Sequence, residues 1–308
     1  MTGGTPPIGR LLVVGLGLIG SSIARAARQF GAARTIVACD SDPGVRARVR
    51  ELGIADEVHE DAATAAVDAD LVVLCVPVGA IGAIAARVAP RLAPGAVLSD
   101  VGSVKAAVIE QVAPHLPPGT FLVPAHPVAG TEFSGPDAGF ATLFENRWCI
   151  LTPCERSDER SVASVTALWE AFGARVETMS AAHHDLVLGI TSHLPHLIAY
   201  NIVGTAADLE EVTQAEVIKF SAGGFRDFTR IAASDPTMWR DVFLNNREAV
   251  LEVLGRFTED LTALQRMIRR GDGDGLFDLF TRTRAIRRSI IALGQETAAP
   301  DFGRRGPG

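Results

Sequence analysis

The segment from Leu11 to Phe30 leaves this chain few folds to choose from. A four-residue apolar run, Leu11 to Val14, opens directly into Gly15-Leu-Gly-Leu-Ile-Gly20, and a helical pattern from Ser21 to Phe30 follows, closed by Gly31. In a GxGxxG turn between strand and helix, the first glycine permits the tight turn. The second lets backbone approach a pyrophosphate, and the third lets helix pack on strand. The helix N-terminal N–H groups then face the phosphates. Thr35 to Cys39 reads as the next strand and ends at Asp40, about twenty residues further on, where a carboxylate binds the ribose hydroxyls of NAD and repels the 2′-phosphate of NADP. Arg46 and Arg48 fall within the following helix, poorly placed for such a phosphate. The expected cofactor residues are Gly15, Leu16, Gly17, Leu18, Ile19, Gly20 and Asp40, with Val76, Pro77 and Ser103 at the ends of later strands. By itself the motif leaves a flavin or S-adenosylmethionine site open.

The alternation continues: Leu71 to Val76 is an apolar run between Asp70 and Pro77, as a central parallel strand buried on both faces would be. Strands at 96–99, 121–123, 148–151 and 174–178 alternate with helices at 79–89, 103–114 and 158–172. This is an α/β pattern, a doubly wound parallel sheet of the Rossmann type. Near Met179 the character changes to helices only: 180–207, bent near Pro195, then 211–220, 236–270 and 273–294. The division expected is a dinucleotide-binding domain over 1–179, an all-helical substrate and dimerisation domain over 180–298, and a flexible tail over 299–308. The long amphipathic stretch 236–270 calls for a bundle, in the same chain or a partner. The formal charge of −7 offers no nucleic-acid footprint, so an anionic substrate must be met by local arginines. No signal peptide or membrane-length apolar run is read, and four scattered cysteines without a CxxC pair fit a reducing cytoplasm.

The chemistry is expected around Phe121-Leu-Val-Pro-Ala-His-Pro-Val-Ala-Gly-Thr-Glu132. His126 follows a short apolar strand, and Pro127 confines its backbone to extended conformations. A histidine there sits at the sheet edge where open α/β folds bind ligands, and Gly130 permits a bend or close approach. Ser103, just past another strand end, can share a hydrogen bond with His126 or with a substrate hydroxyl, or cap the next helix. His183, His184, His193 and His196 raise the thought of a metal, but no cysteine lies near and Pro195 interrupts the spacing, so none is expected. Arg226 and Arg230, after Gly223-Gly224, are the candidates for gripping a carboxylate. Only Lys105 and Lys219 are lysines, which limits lysine chemistry to two positions.

Taken together, GLGLIGSS (15–22), DVGSVK (100–105), HPVAGTE (126–132), TSHLPH (191–196) and GGFRDFTRIAASDPTMWRD (223–241) resemble the prephenate/arogenate (cyclohexadienyl) dehydrogenase family of tyrosine biosynthesis over roughly residues 10–295. The resemblance implies a Rossmann domain, a helical domain forming a homodimer, and NAD-dependent oxidative decarboxylation of prephenate to 4-hydroxyphenylpyruvate or of arogenate to tyrosine. It implies His126 as base, Ser103 as its support and Arg230 as the carboxylate ligand. Thr131, Ser192 and His196 would line the site, and Glu132 with Asp227 would form an ionic gate. Tyrosine feedback, if any, would act at the active site. A relative acting on 4-amino-4-deoxyprephenate, a β-hydroxyacid dehydrogenase and a non-catalytic NAD(H) sensor are the alternatives. The second wants a KxxN pattern that Lys219 does not supply.

Overall fold

The computed structural model describes residues 8–131, 133–208 and 223–292. Glu132, Lys219, Ser221, the helix expected over 211–220 and the tail 299–308 lie outside the described residues. Six strands form one parallel sheet: β1 (Ile8–Val14), β2 (Ala33–Cys39), β3 (Glu57–His59), β4 (Leu71–Leu74), β5 (Val97–Asp100) and β6 (Phe121–Leu122). Their order is β3-β2-β1-β4-β5-β6. Helices α1 (Leu18–Gln29), α2 (Pro43–Leu52), α3 (Ala62–Ala65), α4 (Val78–Val88) and α5 (Ala106–Val112) connect them.

The central strands are apolar throughout because both faces are covered. Leu11, Val13, Leu71 and Val73 pack with Ile23 and Ala27 on one side. Leu12, Val14, Val72 and Leu74 pack with Ile81, Val88 and Val112 on the other. Each such side chain, taken fully out of water, contributes about 1.5–3 kcal/mol. Strand order reverses between β1 and β4, and ligands bind at such a switch point, beyond the carboxyl ends of the strands. β4 stops at Leu74 rather than Val76 because the chain there turns against Gly15, where an added Cβ would lie 2.4 Å from the Cys75 carbonyl oxygen.

His126 does not come directly off the end of a parallel strand. The sheet ends with Val123, whose N–H still reaches Leu98 O at 2.9 Å, because Pro124 has no N–H to continue the ladder. The chain then enters a second sheet of β7 (Ala125–Pro127), β8 (Trp148–Leu151) and β9 (Arg175–Thr178), with α6 (Glu159–Ala171) between the last two. β7 runs antiparallel to β8, pairing His126 with Ile150, and β8 runs parallel to β9. The strands expected to extend the doubly wound sheet thus form a small mixed sheet that carries His126.

The helical part comprises α7 (Ala181–Leu188), a π-helical turn Gly189–His193, α8 (Leu194–Asp208), α9 (Gly223–Thr229), a 3-10 turn Arg230–Ala233, α10 (Pro236–Asn245), α11 (Arg247–Arg270) and α12 (Gly273–Ala292). The π turn accommodates Pro195, whose ring would otherwise meet the carbonyl four residues back. Gly223-Gly224 open a helix despite their low helical propensity. The helix expected over 236–270 is two helices, parted at Asn246, whose φ of −110° and ψ of 35° leave the helical region. By length and hydropathy the run Ala181–Asp208 would suffice to cross a membrane, contrary to the sequence reading. It nevertheless buries the polar side chains His184, Asp185 and His193. Contacts gather residues 1–251 into one compact unit and 252–308 into another, the latter turning at Gly271 with φ +68°. The glycine turn, His126, His184, His196, Arg230 and Asn246 all belong to the first.

Candidate active site

The glycine turn has the shape its sequence requires. Gly15 adopts φ +92°, and a Cβ on Gly20 would fall 1.9 Å from Gly15 O, so helix α1 can approach β1 only with glycine there. Gly17 is exposed with nothing within 4 Å of a Cβ, which leaves room for a phosphate before the uncapped N-terminus of α1. Asp40 is held at the β2 end by accepting from the N–H groups of Leu16 (2.8 Å) and Asp42 (2.9 Å). Arg46 is engaged by the Asp40 and Ser41 carbonyls and by Glu60, and Arg48 by Asp137 and Glu51. These residues therefore fit NAD and present no unengaged guanidinium to a 2′-phosphate.

At the carboxyl edge of the parallel sheet β5 ends in Asp100, and β7 of the second sheet, which carries His126, lies against it. Lys105 ties the two strands together: its ammonium, fully buried, donates to Asp100 Oδ2 (2.5 Å) and Ala125 O (2.7 Å). Asp100 also accepts from Gly102 N (2.8 Å) and Ala125 N (3.3 Å). Burial pushes the Lys105 ammonium down and the Asp100 carboxyl up from their ordinary ranges, each opposed by the other's charge.

His126 Nδ1 lies 2.8 Å from His184 Nε2, and His184 Nδ1 lies 2.8 Å from Asp185 Oδ1. Asp185 also accepts from Lys105 N (2.8 Å) and Ala106 N (2.9 Å), so a side chain on α7 caps α5. Beyond it, Asn246 Nδ2 donates to Asp185 O (2.8 Å) and sits 3.0 Å from His193 Nδ1. His193 packs edge-on against Trp239, and His196 stacks on Trp239 at 3.6 Å between ring centroids. Burial lowers the basicity of all four imidazoles, taking His193 to about 4; the nearby charge of Arg230 lowers His196 further. His126, depressed chiefly by burial and then by His184, Lys105 and His193, is neutral at neutral pH. A neutral imidazole can take a proton, and an arginine at the far end of this row of rings, next to His196, can hold an anion.

A family model described as "Prephenate dehydrogenase, nucleotide-binding domain" matches residues 23–178, and one described as "Prephenate dehydrogenase, dimerization domain" matches residues 180–282. The chain belongs to the prephenate dehydrogenase family. It is 44% identical over 280 residues to a cyclohexadienyl dehydrogenase of Zymomonas mobilis, covering 91% of this chain and 95% of that one. The crystal structure of prephenate dehydrogenase from A. aeolicus in complex with hydroxyphenyl propionate and NAD+ superposes with a TM-score of 0.86 at 35% identity, covering 92% and 98%. That of Synechocystis arogenate dehydrogenase does so with 0.76 at 26% identity, covering 91% and 99%.

The prephenate dehydrogenase motifs fall into two groups. Ser103, His126, His196 and Arg230 stand in one connected neighbourhood: the Ser103 backbone acts on His193, and the rings lead from His126 to Arg230. Ser103 is not a helix cap, since α5 begins three residues later and its first N–H groups go to Asp185; the Ser103 hydroxyl bonds to no described residue. Gly130 is exposed, without a positive φ and without a close neighbour. Thr131 Oγ1 accepts from Phe133 N at 3.3 Å, and Ser192 O accepts from His196 Nδ1 at 2.8 Å. Asp227 pairs with Arg226 at 3.5 Å; its expected partner Glu132 lies outside the described residues. The histidines that raised the thought of a metal point to different partners: His184 to His126 and Asp185, His193 to Asn246, His196 to Ser192. Sequence reasoning missed the roles of His184, Asp185, Asn246 and Trp239. The only signal was the HHD triplet, taken there for a metal question.

Proposed function

We propose that this chain oxidatively decarboxylates a cyclohexadiene carboxylate, prephenate, arogenate or both, with NAD, in tyrosine biosynthesis. The observation that carries the reading is the buried His126 imidazole on β7, held beside the carboxyl end of β5 of the glycine-turn sheet by Lys105, in one neighbourhood with His184, His193, Trp239 and His196, the last of which feels the charge of Arg230. NAD, when bound, would supply the hydride acceptor for C4 of the substrate ring. His126 Nε2 takes the C4 hydroxyl proton as the ketone develops, and the Ser103 hydroxyl orients that oxygen. The ketone, conjugated to the quaternary carbon, draws off CO2, and aromatisation drives the loss. Arg230 grips a substrate carboxylate. By the resemblance Thr131, Ser192 and His196 would line the pocket and Asp227 would gate it together with Glu132, which lies outside the described residues. The glycine turn and Asp40 would hold the cofactor's pyrophosphate and ribose, and Val76 and Pro77 are the further residues expected to meet it.

The same reading divides the chain into a cofactor domain over 1–179, a helical domain over 180–298 that pairs two subunits, and a tail. It places the enzyme in the cytoplasm and puts any inhibition by tyrosine at the active site. The test is NADH formation from prephenate and from arogenate, with NAD and NADP, with and without tyrosine. Turnover of at least one substrate with NAD is expected; none with either would refute the reading.

A further inference from the structure

Asp185 fixes the proton positions of two histidines. Its Oδ1 already accepts from Lys105 N, and a carboxylate only accepts, so His184 Nδ1, 2.8 Å away, carries a hydrogen. Neutral His184 then has its lone pair on Nε2. His126 Nδ1, 2.8 Å from that atom, must donate, which leaves the lone pair of neutral His126 on Nε2, a nitrogen bonded to no described residue. The tautomer a base needs is thus set 58 residues away in the chain. The geometry is held from both sides: Lys105 pins β7 through Ala125 O, and Asn246 and the α5 N–H groups pin Asp185.

We propose that His184 and Asp185 are positioning residues of this reaction, which hold His126 with Nε2 free and receive, on His184 beside Asp185, the positive charge created when His126 takes the substrate proton. This rests on the reading of His126 as base. The steps balance without a further reactant. The substrate O–H breaks and His126 Nε2–H forms; His126 Nδ1–H breaks and His184 Nε2–H forms. The chain ends as neutral His126 and a His184 imidazolium against the Asp185 carboxylate. Loss of CO2 leaves a phenolate, and the same proton returns along the chain to it, so the protein is restored with no net proton released.

The surroundings favour the inner ring for the charge. His126 faces Lys105 from the start of α5, His184 from α7 and His193 from the π turn; its register partner on β8 is Ile150, and beside its backbone stands Cys149, a thiol whose pKa burial raises well above the usual range. Among the described residues no carboxylate bonds His126. His184 faces Lys105 too, but also Asp185, bonded to it, and Asp100 from β5.

Nitrogen-15 spectra of the histidine rings in the cofactor-free wild-type chain read the tautomers directly. The expected result is a protonated Nδ1 and bare Nε2 on both His126 and His184; a protonated Nε2 on neutral His126 would overturn the proposal. His184→Gln keeps an acceptor for His126 Nδ1 but cannot take the charge. Its kcat should fall roughly 10²-fold with KM for substrate and NAD within about twofold, and the pH limb of kcat should move. Wild-type kcat and pH profile in that variant would overturn the proposal. If His184→Gln does not fold, the wild-type spectra still decide. Failure of the wild type itself to turn over prephenate or arogenate would instead count against the proposed function, leaving the tautomers as an independent result.

Discussion

Replacing Lys105 with Met should destabilise the protein by about 3–5 kcal/mol, the usual cost of leaving one partner of a buried ion pair behind. The structure shows where that comes from. The ammonium is fully buried and makes two charge-assisted hydrogen bonds, to Asp100 Oδ2 at 2.5 Å and to Ala125 O at 2.7 Å. Such bonds are worth roughly 1.5–3 kcal/mol each. Met fills much of the same volume, so the loss is electrostatic rather than a cavity. Asp100 would keep only the N–H groups of Gly102 and Ala125, the latter at 3.3 Å. At ~2–4 °C per kcal/mol for a chain of this order of size, the melting temperature should drop by roughly 6–20 °C. Adding Asp100→Asn removes the orphaned charge and should recover part of the loss. Scanning calorimetry of the wild type, the single variant and the double variant measures both effects. A Lys105→Met protein melting within about 2 °C of wild type, or a double variant less stable than the single one, would refute the account of Lys105 as a clamp between β5 and β7.

The other predictions concern the site. His126→Asn should bind NADH normally but lose roughly 10²–10⁴-fold in kcat; near-normal turnover would remove His126 as the base. Gly17→Ala should leave melting unchanged while weakening NAD binding, whereas Gly20→Ala should disturb the fold, because only the second places a Cβ against backbone, 1.9 Å from Gly15 O; fluorescence titration with NADH and melting curves separate the two. His193 has its folded pKa held near 4 by burial, below the unfolded value. Its stabilising contribution is therefore complete above about pH 6.5 and shrinks as pH falls toward about 4, by about 3 kcal/mol in all. Urea titrations across that range should show the loss, and His193→Asn should flatten it. Arg230→Ala should raise KM for the substrate at least tenfold, about 1.4 kcal/mol, with little change in KM for NAD; an equal rise in both would point away from a substrate carboxylate.

What could be read from the residues alone was whatever is settled by neighbours. The positive φ of Gly15 and the closeness of Gly20 to its backbone follow from a strand, a turn and a helix a few residues long, so the glycine pattern named its own conformation. The apolar runs of β1, β4 and β5 announced a sheet covered on both faces. Asp40 could be placed because it ends the very next strand. His126 was found because its flanking residues are unusual, although the sheet it joins was not foreseen.

The remainder depended on groups distant in sequence meeting in space. His126 meets His184 across 58 residues, Asp185 caps α5 across 80, and Asn246 reaches the Asp185 carbonyl across 61. The amphipathic period running through 236–270 carries no mark of the break at Asn246, because the residue leaves the helix to bond Asp185 and His193 rather than for want of helical propensity. Lys105 and Asp100 look like ordinary polar residues of a loop until β7 folds over them and removes water. Hydrophobic period and turn chemistry are properties of short segments, legible one after another. Which polar groups are buried, and which ring nitrogen keeps its proton, is fixed only when all the donors and acceptors of the folded chain must be satisfied at once.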